Sequence, residues 1–81
     1  MKFRIVCDWE KCDSEGNVQI IETWYFYGFG LWQRGKYICV DTTDDMKDAM
    51  FFDSVEEASK AKALIRFLEP DISSLRIERV D

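Results

Sequence analysis

The 81-residue chain contains no histidine. That removes the commonest general base, the usual zinc ligand and the partner that activates a nucleophilic Ser or Cys. Its three cysteines form no Cys-x-x-Cys pair, a poor set for zinc. Neither the glycine-lysine phosphate loop, nor Gly-x-Ser-x-Gly, nor His-Glu-x-x-His occurs. One proline and four glycines exclude collagen-like and linker compositions, and 47% hydrophobic residues exclude the disordered class. No apolar run approaches the ~18 residues of a membrane span. Near the N-terminus, Asp8, Glu10 and Lys11 interrupt the apolar residues before a secretory signal can form. A single domain over residues 1–81, cytoplasmic and with free thiols, is the expectation. No catalytic residue, metal or cofactor is assigned, and the chain is expected not to be an enzyme.

What is present is aromatic and acidic. Aromatics make up 15% of the chain, more than so small a domain buries completely, so some rings should be exposed. Residues 3–9 alternate, with Phe3, Ile5, Cys7 and Trp9 on one side and Arg4, Val6 and Asp8 on the other, as a half-buried strand does. Residues 13–17 are a turn cluster leading into a long strand from Val18 to about Phe29, with Gly16 and Asn17 suited to positive φ. Gly28 and Gly30 around Phe29 signal a bulge, a bend or a close backbone approach. A turn at 33–36, with Gly35 left-handed, leads to a third strand at Tyr37–Val40.

Residues 41–48 read as a polar connection, and Ala49-Met50-Phe51-Phe52 as an edge strand or a plug against the sheet. Ser54 and Glu57 have capping-box spacing and open a helix to about Leu68, ended by Pro70. On a helical wheel Ala58, Ala61, Leu64, Ile65 and Leu68 share one arc. Leu75–Glu78 alternates as a last strand. The fold class is therefore α+β: an antiparallel sheet of four to five strands, β-β-β-(β)-α-β, with one helix on one face. Parallel flanking strands would give that helix a right-handed crossover.

The net charge of −5 is concentrated: residues 41–57 hold seven acids and one base, leaving the remainder at +1. Asp53, Glu56 and Glu57 suit a helix N-terminus. Asp41, Asp44, Asp45 and Asp48 have no such local cause; a solvated loop is the simple explanation, and a negative patch for a basic partner is the sharper one. Asp41, Thr43 and Asp45 imitate an EF-hand start, but Met46 and Phe52 stand where that loop needs Gly and Glu, so calcium is rejected. Cys7 and Cys39 read as small apolar core residues.

The run Trp24-Tyr25-Phe26-Tyr27-Phe29, with Trp32, Arg34 and Lys36, has a base-stacking reading. Net negative charge and a missing aromatic at Lys36 argue against nucleic acid. One face of this strand should pack the core; the other, led by Tyr25 and Tyr27 or by Trp24 and Phe26, should meet a protein. The candidate partner-binding set is Trp24, Tyr25, Tyr27, Trp32, Asp41, Asp44, Asp45 and Asp48. The alternatives are an acidic nucleic-acid mimic and a small homo-oligomeric structural component.

The stretch from Ala49 to Ala58 resembles a pattern of small phage and prophage proteins, over residues 37–80: a strand ending in aromatics, a Ser/Thr cap with Glu-Glu-Ala, then a short closing strand. The resemblance implies a mobile-element accessory protein that binds a host protein, and carries over no functional residue.

Overall fold

The computed structural model describes residues 1–80, and residues 18–20 by their backbone alone. Four strands, β1 (Lys2–Cys12), β2 (Val18–Trp32), β3 (Tyr37–Thr43) and β4 (Ser74–Val80), form one antiparallel sheet in the order β3-β2-β1-β4. A helix, α1 (Val55–Leu68), connects the two edge strands and packs on one face. Because β3 and β4 are neither neighbours nor parallel, the condition for a right-handed crossover is not met. Among the described residues no helix is long and apolar enough to cross a membrane.

Local chemistry accounts for most element ends. Asp13 Oδ1 accepts the backbone N–H groups of Glu15 and Asn17, and Gly16 takes φ +86°, which closes the β1–β2 turn. Asn17 does not share the positive φ. Ser54 Oγ accepts the Glu57 N–H, as the capping spacing requires. The first and third strands both run longer than expected, and β3 absorbs residues 41–43 of the expected loop. Beyond them, Asp45 caps a single 3-10 turn at Met46–Asp48 by accepting the Lys47 N–H.

The core lies between the helix and the sheet: Ile5, Cys7, Phe26, Phe52, Ala58, Ile65, Ile72 and Leu75. Leu64 departs from its expected arc and is 40% exposed, because α1 seats itself on the smaller Ala58 and Ala61 with Ile65. Cys7 belongs to this core, and burial, with Asp8 adding to it, pushes its thiol up to about 11. Cys39 does not belong to the core; it is half-buried, next to Asp41.

The run 49–52 acts as a wedge. β1 and β2 are paired up to Val6 and Tyr25. Past that point Phe52 exchanges both backbone hydrogen bonds with Phe3, at 2.8 and 2.9 Å, and the Met50 N–H donates to the Phe26 carbonyl at 2.9 Å. The Phe52 ring stacks on Phe26, with centroids 6.2 Å apart. The segment thus satisfies the main-chain groups that β1 and β2 give up where they part. At the same place β2 carries a bulge between Phe26 and Gly28, opposite Thr42 and Asp41.

Candidate interaction surface

Beyond the bulge, β2 keeps only β3 as a neighbour, so residues 28–32 and 37–41 form a two-stranded ribbon. The ribbon lengthens the molecule: the radius of gyration is 13.7 Å, against about 12 Å for a compact chain of this length. Its turn is tight. Gln33, Arg34 and Gly35 all take positive φ (51°, 57° and 83°), and only the glycine does so without steric cost.

A bulge inserts one residue and so changes which side chains share a face. After it, Phe29 lies on the same side as Phe26, with ring centroids 4.8 Å apart, and Leu31 follows two residues on, opposite Ile38. The other face carries Trp32 and Tyr37, directly paired with rings 6.5 Å apart, then Gly30, Cys39 and Asp41. Gly30 is a close approach: a Cβ there would stand 2.7 Å from Asp41 Oδ2 and 3.0 Å from Cys39 Sγ. Both signals expected around Phe29, the bulge and the close approach, are therefore present. Leu31, Trp32, Tyr37 and Ile38 are 74%, 63%, 55% and 51% exposed, two large apolar groups on each face of the ribbon.

The residues singled out from the sequence fall in four places. Trp32 sits at the ribbon's end. Tyr27 stands in the bulge, exposed, beside a shallow hollow shared with Thr42, Thr43 and Asp48. Tyr25 lies on the helix-free face, half-buried, with the Arg4 guanidinium carbon 5.0 Å from its ring centroid. Trp24 is on the opposite side, in a cleft of about 340 Å³ lined by Trp9, Glu10, Lys11, Glu22 and Thr42. There Lys11 Nζ donates to Glu22 at 2.6 Å, and this bond, reinforced by the ammonium charge, holds the Glu22 carboxyl below its ordinary value. Phe26, offered as an outward partner of Trp24, is fully buried.

The acids divide as well. Asp41 lies within β3 against Gly30, whereas Asp44, Asp45 and Asp48 are exposed after it. Among the described residues no group of His, Cys, Asp and Glu is gathered to hold a metal ion. Leu31, Tyr37 and Ile38 lie outside the set singled out from the sequence; for Leu31 the signal is the glycine pair, whose bulge shifts the phase of the strand.

No family model, curated protein or solved structure matches the chain.

Proposed function

We propose that this protein is a small, non-enzymatic protein-binding module, an accessory or inhibitor of the mobile-element kind, which meets its partner through the β2–β3 ribbon. The observation that carries the reading is the exposure of Leu31, Trp32, Tyr37 and Ile38 on an arm that contributes little to the core. Large rings and aliphatic side chains so placed lose their water only when another surface covers them. Tyr27 and the acids Asp44, Asp45 and Asp48 extend the surface at the ribbon's base. The absence of histidine, and a buried Cys7 whose thiol stays protonated near neutral pH, support the non-enzymatic reading.

A tagged copy is expected to retain a defined protein from an extract of its host. Replacing Leu31 and Trp32 together by Ala should weaken that retention at least about tenfold, at an unchanged melting temperature. Tyr25→Ala, which lies under Arg4 away from the ribbon, should leave it intact. Equal retention by the Leu31/Trp32 variant would remove the ribbon from the interface.

A further inference from the structure

The sheet ends differently at its two edges. β4 carries Arg76, Glu78 and Arg79 among its seven residues, and Arg76 is paired with Asp8 and Glu78. Charged side chains along an edge strand oppose the addition of another strand. The first four residues of β3, Tyr37-Ile38-Cys39-Val40, include no charge and no proline. Two of them are more than half exposed, and among the described residues no strand pairs with the outer side of β3.

β3 is also electrically polar along its length. Arg34 and Lys36 precede it; Asp41 ends its apolar stretch, and Asp44, Asp45 and Asp48 follow. We infer that β3 pairs antiparallel with β3 of a second copy of this chain, about a two-fold axis near Cys39. In that register Ile38 stands against Val40 of the second copy, and the basic turn of each copy reaches the acidic segment of the other, at both ends. Parallel pairing would bring like charges together. The charge order of the strand therefore matches its own reverse, which is the reason for choosing a second copy over a foreign strand. One strand pair buries far less than the roughly 1,600 Å² of a standard interface, so the dimer is weak and depends on concentration. The pairing uses the edge of β3 and leaves the faces of the ribbon to another protein; Asp44 belongs to both surfaces, so Arg34→Glu, outside the residues proposed to meet the partner, separates the two readings.

Sedimentation velocity on the purified full chain, from about 5 to about 500 μM, tests it. The weight-average sedimentation coefficient should climb from the monomer value toward the dimer value. In this register Arg34 of each copy faces Asp44 of the other, so Arg34→Glu and Asp44→Lys should each weaken dimerisation at least about threefold, and the two together should restore it to within about twofold. Asp44→Lys is the decisive variant. It moves the net charge from −5 to −3, so general repulsion predicts tighter association where specific pairing predicts looser.

With Cys12 replaced by Ser, Cys39 is the accessible thiol, since Cys7 is buried. A short bismaleimide should then cross-link two copies. A monomer throughout the range, a tighter Asp44→Lys dimer, or no cross-link under dimer conditions would each overturn the inference. Retention of a host protein is measured separately, so the loss of one activity can be told from loss of the other.

Discussion

Ile5 and Val6 are neighbours on β1, and both are fully buried, yet they are buried by opposite means. Ile5 points at the helix and joins Cys7, Phe26 and Ile65 in a continuous apolar core. Val6 points at the face that no helix covers, between Tyr25 on β2 and Arg76 on β4. What shields it is a lattice of long polar side chains. Arg4 pairs with Glu78 and lies over Tyr25, Arg76 binds Asp8 at 3.1 Å, and the Thr23 hydroxyl donates to Asp8 at 2.9 Å. The stems of arginines cover apolar surface while their heads stay in water and pair across strands. Low exposure on this sheet therefore does not by itself mean core: one face excludes water by apolar packing, the other by a cover of ion-paired polar side chains.

Four measurements press on that difference. The largest effect should come from Phe26→Ala, which empties the space between Ile5, Phe29 and Phe52; about 3–5 kcal/mol of stability should be lost in urea unfolding, with little dependence on salt.

Next is the pH response of the packed face. Cys7 is raised from 9.0 to about 11 by burial, so the folded state holds its proton where the unfolded state releases it. Stability should therefore be unaffected by this group below pH 9 and fall as the pH rises from 9 to 11, by about 2 kcal/mol. Cys7→Ala should be less stable at neutral pH but lack this decline; equal slopes for the two chains would refute the assignment.

On the covered face, Val6→Ala should cost only about 1 kcal/mol, less than the same change at Ile5, because mobile arginine stems can settle into the space. Smallest is the comparison of Arg4→Met with Arg4→Ala. The methionine keeps the cover over Val6 and Tyr25 and should lose under about 0.5 kcal/mol, while the alanine should lose about 1 kcal/mol. If both lose the same amount, and 1 M salt abolishes the loss, the arginine acts through its charge and not through its stem.

Much of this architecture was legible because it rests on local rules. The alternation around Ile5 and Cys7 announced the first strand and its buried face, and Ser54 with Glu57 announced the helix start that the structure keeps. The excess of aromatics announced exposed rings. Tyr27 and Trp32, singled out from the sequence, are exposed, but which face each ring takes was not legible. Trp24 and Tyr25 are adjacent and so lie on opposite faces, and the bulge at Tyr27 then reverses the phase for every residue up to Trp32. The glycine pair marked an irregularity, but which residue is inserted, and so which rings turn to which face, depends on pairing with β3. The acidic segment was recognised as a unit, but Asp41 belongs to β3, because strand pairing with Gly28 extends through it.

The sequence alone determined the α+β class, the order of the elements, the turns at Gly16 and Gly35 and the helix cap, since each depends on residues a few positions apart. Tertiary structure decided the rest. Only the meeting of Phe52 with Phe3, forty-nine positions away in sequence, parts β1 from β2. Only that parting frees residues 28–32 to leave the sheet as a ribbon, and the docking of β4 beside β1 leaves β3 as the sheet's other edge strand. These are pairings between distant segments, chosen by the burial they jointly achieve, and no window of local sequence contains both partners.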